Sequence, residues 1–331
     1  MGFKDCTSLL LVGCVMALFS KEPSLRAQSD DPRFTPHRII GNIYDVGEYD
    51  VSCFLITTNQ GHILLNSGWP RTPELIRAHM ERLGFRMTDI KVLLTNNSHG
   101  EVIGGLAQIK RWTGATVEIM AGDEDVVRSG VAVAGGHRYR LVEPCQVDKV
   151  LHDLDEVRLG DAALVAHLTP GHTRGATTWT LRAVEKGKAY DVVILDAPPK
   201  DYKEPPLLGD PEYPQRCSDY ALSFRIIKGL HCDVLLSSHS LHYLAATKEV
   251  QTEIMRGGYA NLPRDATAPR QFLAAKEKQF LDELASQMDP EIGRLANLNY
   301  YRLFSERFLR DPGYRKLLPL MELLPDERLE K

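Results

Sequence analysis

A chain built to hold nucleic acid carries an excess of lysine and arginine, and this one does not. Its 40 basic residues stand against 44 acidic ones, a formal net charge of −4 over 331 residues. No dense Lys/Arg patch occurs, and no basic stripe is interleaved with aromatic side chains, so nothing steers a polyanion to its surface. A membrane-spanning run is missing too. The apolar stretch Thr7–Phe19 is thirteen residues long, too short for the hydrocarbon core of a bilayer. Cysteine is sparse. Beyond the first residues only Cys53, Cys145, Cys217 and Cys232 remain, too few for a disulfide-built scaffold. The pattern allows either one bridge, with Cys217–Cys232 the nearest pair in sequence, or four buried free thiols.

That apolar stretch has another reading. Lys4 precedes it and a small-residue site ends at Ala27, just before the polar segment that starts at Gln28. This is the layout of an export signal, so residues 1–27 are set aside from the fold and the mature protein is expected to be periplasmic or secreted. Leu11–Cys14 (LVGC) also has the form of a lipoprotein processing site, although the apolar run continues past Cys14 to Phe19. Residues 28–287 are then the folded body. Residues 288–331, rich in aromatic residues and leucine, form an extension that could pack on the body, cover a cleft or pair two copies into a homodimer.

Lys91–Gly105 (KVLLTNNSHGEVIGG) organises the rest. Val92–Leu94 is a short buried-strand run, and the helical pattern opens at Gly104–Gly105. Between them a polar loop carries Asn97, His99 and Glu101 at alternate positions. In an extended backbone such residues point the same way, and a polar cluster at the end of a buried strand is a place for chemistry. Upstream, residues 38–58 read as two strands joined by a polar turn. A further strand, His62–Leu65, ends at Asn66-Ser67-Gly68, and Pro70–Phe85 reads as a helix closed by Gly84. Downstream, Val126–Val133 reads as a short helix ending at Gly135–Gly136, and His137 as an exposed turn residue. Thr169–Gly175 (TPGHTRG) turns sharply at Pro170–Gly171 and aims His172 inward. Tyr190–Asp196 is a buried strand, and Cys232–Leu236 is the last strand, leaving through Ser237-Ser238-His239. A helix over 268–287 follows, with Phe272, Phe280 and Leu284 apolar.

These phrases together resemble the metallo-β-lactamase superfamily. The match covers the opening Gly41–Gly47 (GNIYDVG), the strand–loop–Gly-Gly–helix frame, the intact Thr169–Gly175 phrase and the late LHCDVLLSSH phrase ending at His239. The late phrase and the YPQRCSDY segment before it are closest in pattern to subclass B3. The resemblance implies an α/β fold, an αββα four-layer sandwich. It also implies a site for zinc that activates water against the amide of a β-lactam, a small-molecule substrate.

The first motif departs from the family's H-x-H-x-D-H. Asn97 stands for its first histidine, His99 is retained, Glu101 replaces the aspartate, and Val102 replaces the last histidine. Glu101 carries one methylene more than aspartate, which moves its carboxylate by about 1–1.5 Å. Asn66 replaces an aspartate beneath the loop. Carried over by position, the metal residues are Asn97, His99, Glu101, His172 and His239, with Asp196 as a substitute ligand. His99, Glu101, His172 and His239 are the catalytic group, with Glu101 as ligand or general base. One zinc with an open water position is the expected count, two if Asp196 or waters make up the deficit. Activity on β-lactams is expected to be weak or altered. The alternatives are a lactonase or esterase on the same scaffold, or a binding protein without catalysis. Trp69, Tyr202 and His242 are expected to shape the cleft.

Overall fold

The computed structural model describes residues 34–49, 51–134, 137–196, 206–239 and 267–288. The export signal, Cys14, Tyr202, His242 and the extension beyond 288 lie outside the described residues. Among those described, no helix is long and apolar enough to cross a membrane.

Two sheets form the body. The first has seven strands in the order β1(His37–Ile40), β2(Ile43–Asp45), β3(Phe54–Thr58), β4(Gly61–Leu65), β5(Ile90–Leu94), β6(Thr116–Met120), β9(Lys149–Leu151). The second has five, β10(Glu156–Leu159), β11(Ala162–Leu168), β12(Thr177–Glu185), β13(Lys188–Leu195) and β14(Val234–Ser237). Between strands 6 and 9 a separate hairpin pairs β7(Val131–Ala134) with β8(His137–Arg140). Among the described residues six α-helices cover the outer faces: α1(Thr72–Arg82), α2(Gly100–Ile103), α3(Leu106–Thr113), α4(Glu124–Ser129), α5(Arg216–Gly229) and α6(Thr267–Gln287).

Strand alternation builds the layers. Along β3, β4 and β5, residues Phe54, Ile56, Ile63, Leu65, Val92 and Leu94 join Leu164, Trp179 and Ile194 of the second sheet in one core. Their neighbours Leu55, Leu64 and Leu93 join Ile76 and Met80 of α1 and Leu106 and Ile109 of α3 in another. Successive side chains in a strand point to opposite faces, so a sheet apolar on both faces must be covered on both. A third cluster seats Phe280 and Leu284 of α6 against Tyr220 and Phe224 of α5. The result is helix, sheet, sheet, helix, the expected four-layer α/β sandwich.

Local expectations needed correction in three places. Residues 38–58 make three strands, because His37–Ile40 pairs with Ile43–Asp45 around a turn at Gly41. Val126–Val133 is split at Gly130 (φ +66), where the helix stops and β7 begins. A β-branched valine run then pairs across the hairpin, which places His137 on a strand. The first helix starts at Thr72 with Pro73 in its opening turn and closes through Leu83. All four cysteines of the body are buried free thiols.

Candidate functional site

Both histidine motifs leave the same end of the sandwich. The β5 strand delivers Asn97, His99 and Glu101, the turn between β11 and β12 delivers His172, and the exits of β13 and β14 deliver Asp196 and His239. The first loop is not extended throughout. After His99 the backbone turns into α2, so Glu101 sits in a helical first turn. It still meets its partners: Oε1 lies 3.5 Å from His99 Nδ1 and 3.9 Å from His239 Nε2. Burial works to raise the Glu101 pKa, but the hydrogen bond and charge of His99 and the charge of His239 outweigh it and hold the carboxyl down to about 2. A carboxylate between two imidazoles is therefore kept anionic.

The other half of the site is deeper. His172 and Asp196 are each 6% exposed at their side chains, against 40% for His99. His172 Nδ1 donates to Asp196 Oδ2 at 2.9 Å, since a carboxylate can only accept. That fixes the tautomer and leaves Nε2 as the ring nitrogen with the lone pair. The His172 and His99 rings meet edge to face with centroids 4.2 Å apart. Asn97 uses both ends of its amide. Nδ2 donates to Asp196 Oδ1 at 2.5 Å, and Oδ1 accepts from His99 N at 2.8 Å. Val102 is fully buried in the core between sheet and helices.

The register of β13 decides the place of Asp196. Leu195 pairs with Ser237 at the end of the parallel ladder, and the next residue turns its carboxylate to His172 and Asn97. Beneath the loop Asn66 adopts φ +71, a left-handed conformation that asparagine tolerates. Its Nδ2 donates to Asn96 Oδ1 at 3.0 Å and its Oδ1 accepts from Asn96 N at 3.0 Å. Asn96 in turn donates to Thr177 O at 2.8 Å. So an uncharged amide ladder stands where the family pattern has an aspartate.

Two supports escaped the sequence reading. Arg216 of α5 is buried and donates from Nη1 to the carbonyls of Gly171 (3.0 Å) and His172 (3.2 Å), while Nη2 pairs with Asp210 at 3.1 Å. The other is Asn96 itself. Neither carries a motif: an arginine opening a helix and one asparagine in Thr95-Asn96-Asn97 look like surface residues. Gly171, at φ +133 with Tyr220 packed where a Cβ would lie, makes the sharp turn that the Pro-Gly pair announced.

The donor types at this end suit zinc: imidazoles with a carboxylate among them, and His172 oriented by a second carboxylate. The set is open. Among the described residues, no three His, Cys, Asp or Glu at this end bring donor atoms within 4.8 Å of one another. The group that does so is Asp191, His231 and Asp233, at the far end of the second sheet. There Asp191 is already held by Arg182 and His231.

No protein-family profile matches the chain. Solved structures do. The native FEZ-1 metallo-β-lactamase of Legionella gormanii is 35% identical, covering 77% of this chain and 97% of that one with a TM-score of 0.69. The metallo-β-lactamase GOB-18 of Elizabethkingia meningoseptica is 28% identical over 77% of this chain and 93% of its own, TM-score 0.67. LRA-12, a class B3 di-zinc metallo-β-lactamase from an Alaskan soil metagenome, is 31% identical over 76% and 94%, TM-score 0.65. Identity at that level across almost the whole of the Legionella protein, on the same two-sheet scaffold, means that the chain belongs to the metallo-β-lactamase superfamily, on the side of subclass B3.

Proposed function

We propose that this protein is a zinc-dependent hydrolase that opens the amide of a β-lactam, with activity weaker than, or shifted from, that of a site with the full ligand set. The observation that carries the reading is Glu101 held anionic between His99 and His239, with His172 edge to face against His99 and oriented by Asp196. Four residues, His99, Glu101, His172 and His239, would hold one ion. Zinc bound there supplies Lewis acidity and lowers the pKa of water at an open coordination position.

The chain's own residues set the rest. Asp196 keeps Nε2 of His172 available and stabilises positive charge on that ring. Asn97 fills the place of a ligand with two hydrogen bonds, so it shapes the pocket and anchors His99 rather than adding a strong donor. Val102, inside the core, adds none. A second ion would therefore lean on Asp196, which His172 and Asn97 already engage. Export and a periplasmic or secreted location belong to this proposal, as does a homodimer through residues 288–331.

Metal content by mass spectrometry tests the proposal, on protein purified without added metal and again after dialysis against zinc. About one zinc per chain, lost in His239→Ala, together with hydrolysis in a panel of β-lactams, is the expected result. Zinc retained with turnover of lactones but not β-lactams would move the substrate class. No zinc even when supplied would leave the scaffold as a binding protein.

A further inference from the structure

Asp123 touches none of the metal residues named above, yet it stands where the two histidine loops meet. It is 3% exposed and immediately precedes α4. Its Oδ2 accepts from Thr173 Oγ1 at 2.6 Å and its Oδ1 from Gly175 N at 3.0 Å. Ser98 is close enough for its hydroxyl to pull the Asp123 pKa down. Ser98 is the residue before His99, and Thr173 is the residue after His172. One carboxylate thus takes two neutral donors from the second loop and faces a hydroxyl of the first.

The backbone is built for this approach. A Cβ on Gly175 would lie 2.7 Å from Asp123 N and 2.8 Å from its Cγ, so any larger residue would push the turn off the carboxylate. Gly122, at φ +101, likewise clears the backbone of Arg174. Burial raises the Asp123 pKa, and Thr173, Gly175 and Ser98 oppose that rise. A buried carboxylate among neutral donors costs folding free energy that an apolar residue would not. Core packing alone does not account for such a residue at this position.

We propose that Asp123 is a positioning residue that sets the place of His172 against His99, by binding Thr173 and Gly175, which follow His172 in its loop, with Ser98 next to His99 facing the same carboxylate. It acts on the site through those two loops, as an outer partner acts on a ligand it orients. The inference rests on the reading of His99 and His172 as site histidines, but not on zinc or turnover.

The test uses the full chain labelled with ¹⁵N-histidine. In metal-free protein, Asp123→Ala should shift the ring signals of His99 and His172 and leave those of His62 and His79 in place. In zinc-loaded protein it should weaken zinc affinity by about 10–100-fold in chelator competition. Asp123→Asn, which keeps one accepting oxygen, should lose less than tenfold. Asp148→Ala is the control. Asp148 also accepts from a lysine, a backbone N–H and a glutamine, far from the histidines, so its loss should lower thermal stability without either effect. If Asp123→Ala does not fold, Thr173→Val and Ser98→Ala each remove one hydroxyl facing the carboxylate and should give intermediate shifts.

Unmoved ring signals with wild-type zinc affinity in the Asp123 variants would overturn the proposal. So would equal shifts in Asp148→Ala. Absence of zinc binding or of hydrolysis in the wild type would sink the hydrolase reading alone, because the ring signals are read without metal.

Discussion

The two histidine loops have kept different things. The second, Thr169–Gly175, retains every residue of its phrase and is gripped from two sides, by Arg216 on its carbonyls and by Asp123 on Thr173 and Gly175. The first departs from the family phrase at Asn97, Glu101 and Val102 yet keeps its frame. Asn66 N still donates to Leu94 O, and Ser67 N to Val102 O, both at 2.8 Å. Backbone bonds do not depend on the side chain at 97 or 102, so the loop holds its course while its chemistry changes. A scaffold of this kind tolerates ligand loss because its loops are fixed by amides and buried polar groups, not by a metal.

The comparison breaks most decisively at His172. Replacing it with alanine removes the ring that meets His99 edge to face and strips Asp196 of one of its two donors. We expect zinc content to fall below one tenth of wild type and hydrolysis to drop at least 100-fold, while Asn97→Ala leaves most of the zinc in place. Equal losses in both variants, measured by mass spectrometry and initial rates, would mean that the loops contribute alike.

Restoring the family residue in the first loop should not restore its role at once. Val102 is fully buried among Leu55, Ile76, Met80 and Leu106. Val102→His places a larger, polar ring there, and overpacking plus an unpaired polar atom cost about 2–4 kcal/mol together. Urea unfolding of the metal-free variant measures that loss. A variant as stable as wild type would show that the position opens to the cleft rather than the core.

Asn97→Ala should cost less, about 1–2 kcal/mol, because it leaves Asp196 Oδ1 and the His99 N–H each short of a partner. Zinc affinity should weaken less than tenfold. A larger drop would make Asn97 a ligand in its own right.

How much of this was legible without coordinates follows the same division. The four-layer fold, the inward His172 and the arrival of His239 at the same end were readable, because strand runs, Pro-Gly turns and intact phrases act locally. The course of the first loop was not. Alternate spacing points Asn97, His99 and Glu101 the same way only on an extended backbone, but α2 begins at Gly100, and Glu101 reaches His99 from a helical turn. Asp196 was uncertain by one residue of strand register, which only the pairing of Leu195 with Ser237 resolves. Arg216, Asn96 and Asp123 were invisible because the bonds by which they reach Gly171, Thr177 and Gly175 span 45, 81 and 52 residues of chain. Long-range polar contacts leave no periodic trace. The split of residues 38–58 into three strands was missed for a simpler reason: a turn at Gly41 is too tight to show as a polar break.

A buried carboxylate lies beneath each loop, and the smallest predicted effect separates them. Asp210, under the second, is paired with Arg216. Asp45, under the first and 1% exposed, accepts from the N–H groups of Gly47 and Cys53, and Ser52 beside it offers its carbonyl to Asn66. Burial raises the Asp45 pKa from 3.8 to about 7, against the pull of its hydrogen bonds. A carboxyl with a raised folded-state pKa keeps its proton longer in the folded chain. Its contribution to stability is complete below the unfolded value and is lost as pH climbs through 7. At about 1.4 kcal/mol per pH unit, wild type should lose roughly 1–2 kcal/mol between pH 6 and pH 8 from this group. Asp45→Asn should flatten that fall, while Asp210→Asn should leave it unchanged. Urea midpoints at the two pH values decide it: the same slope in wild type and Asp45→Asn would mean that Asp45 is ionised in the folded protein, with a stronger partner than its neighbours provide.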